Sequence, residues 1–262
     1  MVSAANGTLF AQERKLKIME LLAQNKKVTV AELCKFFNVS SATIRNDLRE
    51  LDNNGQLIRT HGGAIIETKT GFEPMTAQKK DFDLRGKQLI AKAAINLIED
   101  GDNIILDAGT TTLELAKLLY QKKNLTVVTN DLEIVRTLEN FDTLHIILMG
   151  GMVRKNYNCT IGVQGQKMLS GLTVDKAFMG THSFSIDKGA TTPDINQAET
   201  KKAMIESAVK IILLCSHHKL GKASFAQFAS LDEIDTLVID NIEENMKITL
   251  EEQGVAVVVG AS

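Results

Sequence analysis

From residue 81 onwards the chain trades strand-sized apolar runs with helix-period segments, and the strands lack in/out polar alternation. Residues 89–98 read as helical, Asn103–Leu106 as a strand, 112–120 as helical and 125–128 as a strand. Residues 132–138 and 145–149 repeat the alternation, as do 199–209 and 211–215. A strand that is apolar on both faces needs cover on both faces, so this pattern predicts a mostly parallel sheet between helical layers. The strand-like runs are far shorter than the ~20 apolar residues of a membrane helix, and no membrane partner is expected.

The first part of the chain has a different texture. Residues 10–25 carry Leu16, Met19, Leu21 and Leu22 at helical spacing, and Lys26-Lys27 read as a polar break. Thr29 with Glu32 forms a capping-box pattern that opens a second helix, and Ser40 is a good N-cap for a third running to about Asn53. Gly55 is the expected end of that helix. Leu57-Ile58-Arg59 and Ala64-Ile65-Ile66, either side of His61-Gly62-Gly63, look like a small hairpin. The expected organisation is a winged helix-turn-helix over residues 8–66, a linker over 67–80 that contains Gly71 and Pro74, and a larger α/β domain over 81–260.

Charge follows the same division. The net −2 of the 262-residue chain is a sum over unlike parts: nine Lys/Arg against six Asp/Glu in residues 1–66, and twenty-one against twenty-six afterwards. A basic head on an acidic body hints at a nucleic-acid module. The apolar share of 44% excludes a disordered or fibrous chain. Cys34, Cys159 and Cys215 are scattered and odd in number, which fits reduced thiols in a cytoplasm. The first ten residues show no signal-peptide pattern, so a cytoplasmic location is expected.

On the third helix the exposed face would carry Ser41, Thr43, Arg45, Asn46 and Arg49. Hydroxyls at a helix start can hold phosphates, while Arg and Asn can pair with guanine and adenine edges of double-stranded DNA. Arg59 and His61 in the hairpin would reach an adjacent backbone or minor groove. The plainer alternative is a docking module whose arginines pair with Asp47 and Glu50.

The residues Glu13-Arg14, Val39 through Leu48 with Thr43-Ile44-Arg45-Asn46-Asp47-Leu48, and Ile58 through Ala64 resemble the DeoR family of bacterial repressors. The resemblance covers nearly all of residues 13–66. It implies that the third helix reads DNA and that the Gly-Gly hairpin is the wing. The usual family string has two arginines where this one has Arg45-Asn46, a difference that bears on operator sequence rather than on DNA binding.

In the larger part, Asp107-Ala108-Gly109-Thr110-Thr111-Thr112 lies between a strand and a helix. Helix-start N–H groups and hydroxyls make an anion site there, with simple capping by Asp107 and Thr110 as the alternative. Thr129-Asn130-Asp131, Gly150-Gly151 and Ser216-His217-His218-Lys219 follow other strands, where an open α/β sheet binds its ligands. Lys219 and Arg154 are the candidate phosphate cations; a lone solvated lysine is the commoner fate. The adjacent histidines are not expected to bind metal, because neighbours in an extended segment point opposite ways and no third ligand is placed by spacing.

These strings are similar to the DeoR sensor domain, which resembles the sugar-phosphate isomerase and CoA-transferase fold group. The resemblance also draws on Asp175–Gly180, Glu199 with Lys201-Lys202, and Lys219 with Gly221. It implies a phosphorylated sugar or sugar alcohol, with the Gly109–Thr111 loop and Lys219 on the phosphate. Asp107, Asn130 and Glu199 would face the hydroxyls, and Gly150, Arg154 and Lys201 complete the set. The chain departs from the family at Ser216, usually Asp, and at Thr181-His182-Ser183-Phe184.

The expected function is a repressor of a carbohydrate operon, modulated by that ligand and using no cofactor. Two alternatives stand beside it: a sugar-phosphate isomerase with Glu199 or Asp107 as base, and a regulator that answers no small molecule. A homo-oligomer, dimer or tetramer, is expected because helix-turn-helix operators have two-fold half-sites.

Overall fold

The computed structural model describes residues 10–25, 27–53, 57–65, 70–71 and 73–260, the side chains of Ala23, Gln24, Asn53 and Ile58 excepted. Of the sequence expectations, Lys26, Gly55, Ile66, the first two residues of the 8–66 domain and positions 67–69 and 72 of the linker lie outside that set. The chain divides into two units between Pro74 and Met75.

In the first unit the order is α1 (Ala11–Asn25), β1 (Lys27–Thr29), α2 (Val30–Phe37), α3 (Ser41–Asn53), β2 (Ile58–Thr60) and β3 (Gly63–Ile65). Local chemistry sets most of these bounds. Thr29 Oγ1 accepts the Glu32 N–H at 3.2 Å and the Glu32 carboxylate accepts the Thr29 N–H at 2.8 Å, closing the capping box of α2. Asn38, with φ of 53°, turns the chain out of α2, and Ser40 Oγ accepts the Thr43 N–H at 3.2 Å to start α3. Ile18, Leu22, Leu33, Ile44, Leu48 and Leu51 fill the core beneath.

One sequence expectation fails here. Lys27 belongs not to a polar break but to β1, which pairs antiparallel with β3 and gives a wing of order β1-β3-β2. The open edge of β3 supplies partners that local polarity cannot reveal, and Val28 gains burial in return. The crossing is tight: a Cβ at Gly63 would lie 1.9 Å from the Val28 carbonyl oxygen. Across the helices, Arg14 Nε and Asp47 Oδ2 form a buried ion pair at 2.5 Å.

The second unit begins with α4 (Thr76–Asp81), α5 (Leu84–Ala94), β4 (Asn103–Leu106), α6 (Thr110–Ala116), β5 (Thr126–Thr129), α7 (Leu132–Leu138) and β6 (His145–Leu148). A hairpin of β7 (Met152–Arg154) and β8 (Cys159–Ile161) leads to α8 (Val163–Leu169) and β9 (Val174–Gly180). Then come β10 (Ser183–Ser185), β11 (Gly189–Thr192), α9 (Ile195–Glu206), β12 (Ala208–Cys215), β13 (Ala226–Ala229), β14 (Thr236–Ile239), α10 (Glu244–Glu252) and β15 (Ala256–Val259). The expected linker 67–80 therefore ends in helix. Gln78 reaches back to accept the Met75 N–H at 2.8 Å, which starts α4 without any apolar period to announce it.

Seven strands form one parallel sheet in the order β15-β14-β12-β9-β4-β5-β6. Successive residues feed opposite cores, as doubly covered strands require: Ile104 and Leu106 go to one, Ile105 to the other. Ile90 and Ala94 of α5, Leu113 of α6 and Ile134 of α7 cover one face. Leu169 of α8, Met204 of α9 and Leu250 of α10 cover the opposite one. Numbered outward from β4, the order runs one way through β5 and β6 and the other way through β9, β12, β14 and β15. The gap between the ends of β4 and β9 is thus the switch point where such sheets bind ligands. Among the described residues, no helix is long and apolar enough to cross a membrane.

Asp47→Ala would leave Arg14 buried without that carboxylate. The expected loss is about 3–5 kcal/mol from the first unit, seen as a lower urea midpoint for its transition while that of the second unit stays in place.

Candidate functional site

On α3, Ser41, Arg45, Asn46 and Arg49 are exposed and Thr43 is half-buried against Ser40. Helix α1 takes the carboxylates that might have neutralised the two arginines. Asp47 is held by Arg14, and Glu50 Oε2 is 2.7 Å from Lys15 Nζ. Among the described residues neither Arg45 nor Arg49 pairs with a carboxylate; Arg49 only donates a long 3.4 Å bond to the Asn46 amide. Asn46 in turn donates to Glu50 at 3.1 Å. Arg59, in the middle of β2, and His61, in the turn of the wing, are both exposed. The face is cationic and open, as groove contact demands.

In the second unit Asp107 leaves β4 at the switch point, almost wholly buried. Its Oδ2 accepts the Gly180 N–H at the end of β9 at 2.9 Å and pairs closely with Lys201 Nζ of α9. Lys201 also donates to the Gly180 carbonyl at 2.9 Å, and its ammonium sits over the Phe228 ring. Asn130, after β5, accepts the Ala108 N–H at 3.1 Å and donates to the Thr160 carbonyl at 2.8 Å. The Gly109 N–H is given to Asp131 Oδ2 at 3.2 Å. A ligand at this loop would therefore meet the N–H groups of the first turn after Gly109, which have no acceptor within the helix. Thr110 and Thr111 are buried alongside. Lys219 completes the ring from β12's end, donating to the Thr181 carbonyl at 2.8 Å. Burial holds its ammonium below the ordinary lysine range.

Three further expected members make other contacts. Arg154 is 3.5 Å from Asp194, the N-cap of α9, and stacks on Tyr157 at 3.7 Å. Gly150 packs beneath α8, where a Cβ on Gly165 would lie 2.7 Å from its carbonyl oxygen. Glu199 is exposed, 2.9 Å from Lys202, on a groove shared with Val163 and Lys167 of α8. Lys201 and Glu199 are two residues apart on one helix, so they face different ways.

Sequence reasoning overlooked Lys87. Its Nζ donates to the carbonyls of Lys79 and, at 2.5 Å, Phe82. Burial, with the charge of Lys219 adding to it, pushes its ammonium down to about 7. The signal was present: a lysine three positions before Ile90 on the apolar face of α5. Asp131 was named only as part of a polar cluster. Burial pushes its carboxyl up to about 6 against the pull of the Ile134, Glu133 and Gly109 N–H groups, and Asp107 adds to the rise. The histidine geometry is also corrected. His217–Lys219 form a 3-10 turn rather than an extended segment, the two rings stand 5.7 Å apart, and Asp83 supplies the third group that spacing could not place.

The profile of the DeoR-like helix-turn-helix domain matches residues 14–70, and that of the DeoR C terminal sensor domain matches residues 83–241. The chain belongs to the DeoR family. It is 36% identical to the HTH-type transcriptional regulator GlpR of Haloferax volcanii, over 95% of this chain and 98% of that one. It is 35% identical to the HTH-type transcriptional regulator GolR of Listeria innocua (89% and 92%), and 34% identical to the HTH-type transcriptional repressor GlcR of Bacillus subtilis (89% and 90%). These relatives are named as regulators, not enzymes. A ribose 5-phosphate isomerase overlays on 51% of this DeoR-family chain, and the match covers 52% of the isomerase, with 19% identity and a TM-score of 0.39.

Two outcomes are expected. Asp107→Ala leaves Lys201 buried without its carboxylate and should cost the second unit about 3–5 kcal/mol, whereas adding Lys201→Met should recover most of the loss in urea denaturation. The raised Asp131 carboxyl binds its proton more tightly folded than unfolded, so this group's contribution to stability falls as pH climbs from about 4 to about 6. In Asp131→Asn that fall, on the order of 3 kcal/mol, should vanish from the difference between denaturation series at pH 4 and pH 7.

Proposed function

We propose that this DeoR-family chain is a repressor of a carbohydrate uptake or catabolism operon, and that a phosphorylated sugar or sugar alcohol modulates its grip on operator DNA. Ser41, Thr43, Arg45, Asn46 and Arg49 would read the duplex, with Arg59 and His61 on the flanking backbone or groove. The observation that carries the ligand half is the switch-point crevice, where the Thr110–Thr111 helix start, Asn130 and Lys219 converge on the Asp107–Lys201 pair. A phosphate would take the first-turn N–H groups and Lys219, and the sugar hydroxyls would meet Asp107 and Asn130. Arg154 would have to share its charge with Asp194, and Glu199 with Lys202, to take part. Chemistry on the ligand is not part of this reading: Asp107 already serves two donors, and Glu199 is paired with Lys202 on an outer groove. Two DNA heads per operator call for a homo-oligomer, at least a dimer.

For ligand to matter, it must bind the DNA-competent and DNA-incompetent states with different affinity. The test starts with selection of bound duplexes from a random library at physiological salt, followed by a melting-temperature panel of phosphorylated sugars and polyols. One duplex should survive competition by bulk DNA, and one phosphorylated ligand should both raise the melting temperature and change the affinity for that duplex. Arg45→Ala should weaken it roughly tenfold or more, at about 1–3 kcal/mol per base contact, with the fold intact. Lys219→Met should keep DNA binding and lose the ligand response. Equal retention of every duplex would sink the repressor reading.

A further inference from the structure

The turn that delivers Lys219 to the crevice also holds a cluster that the crevice does not use. Asp83, the cap residue before α5, and His217 and His218 each offer one ligand-type atom, and these atoms all lie within 4.8 Å of one another. Asp83 Oδ2 is buried and accepts no well-formed hydrogen bond among the described residues. His218 Nδ1 stands 3.4 Å from it. A charge-assisted hydrogen bond would close to about 2.7–2.9 Å. Two ligand atoms on a tetrahedral zinc ion, each about 2.0–2.1 Å from the metal, stand about 3.3–3.4 Å apart. The Asp83–His218 separation is that of a tetrahedron's edge.

The second ring is already aimed. Asp240, at the end of β14, accepts the His217 backbone N–H at 2.7 Å and lies 2.6 Å from His217 Nδ1. A carboxylate on one imidazole nitrogen fixes the tautomer and leaves the other, here Nε2, to bind a metal more basically. Phe82 packs edge-on against the His218 ring at 5.0 Å and restrains it. The His217 side chain itself is half-exposed.

We propose that Asp83, His217 and His218 bind one divalent transition-metal ion of the zinc type, with water in the fourth position and Asp240 positioning His217. Two imidazoles and one carboxylate suit zinc, cobalt or nickel; magnesium and calcium prefer oxygen ligands throughout. The ion would tie the start of α5 to the turn that carries Lys219.

The test uses the full chain, free of affinity tag and stripped of metal, titrated with Zn²⁺ in a calorimeter and with Co²⁺ by absorption. The expected result is one ion per chain, visible-region cobalt bands of tetrahedral intensity, and a higher melting temperature of the second unit with zinc in excess. His217→Gln, at an exposed position that leaves the fold alone, should weaken zinc at least tenfold, and Asp240→Asn about tenfold through its hold on His217. His145→Gln, an exposed histidine outside the cluster, should change nothing. Absence of saturable one-to-one binding overturns the proposal, and so does an affinity that His217→Gln leaves unmoved, since the ion would then sit on other groups.

Discussion

The second unit is organised around one buried carboxylate. A parallel sheet whose strand order reverses leaves a gap between the two central strands, and here Asp107 closes it. Its oxygen takes the Gly180 N–H from the end of β9 and the ammonium of Lys201 from α9, and Lys201 returns to the Gly180 carbonyl. A charge so deeply buried is tolerable only with its partners in place, so the three elements hold a common geometry. The neighbouring loop is braced from the other side, where Asn130 and Asp131 accept the Ala108 and Gly109 N–H groups. The switch point is therefore a frame of mutual hydrogen bonds rather than a set of loose loops.

Charge in this unit is a local matter. Residues 67–262 are acidic on balance, yet buried lysines gather locally: Lys219 lies close enough to lower the Lys87 ammonium, and Lys201 adds to the lowering at Lys219. Each is held by backbone carbonyls, and Lys201 by the Asp107 carboxylate as well. Cations so placed set a local field opposite in sign to the net charge of the unit.

In the first unit the same economy of charge works in the opposite direction. Arg14 and Lys15 of α1 draw Asp47 and Glu50 into ion pairs, so α3 shows the solvent its arginines without their natural neutralising partners. The wing is fixed by contact as close as that of Gly63 against Val28, where no side chain fits.

Much of this was legible in the residues. Asn103–Leu106 and Leu132–Leu138 appear at the expected positions, the Thr29–Glu32 cap forms, and polar segments gather at the strand ends, because caps and apolar periods act over three or four residues. Family strings named Asp107, Asn130, Lys201 and Lys219 together. What the residues could not disclose depends on partners far apart in the chain. β1 forms because β3 offers an edge; Glu199 and Arg154 find their ion-pair partners in Lys202 and Asp194; His217 and His218 become neighbours of Asp83 because the chain turns in a 3-10 coil beside α5. Sequence by itself determined the two domain types, the parallel sheet and the pool of polar residues at its strand ends, since each follows from short-range pattern. Only the tertiary structure decided which of those residues touch one another, since a hydrogen bond between residues 94 positions apart, as between Asp107 and Lys201, exists only once the sheet is assembled.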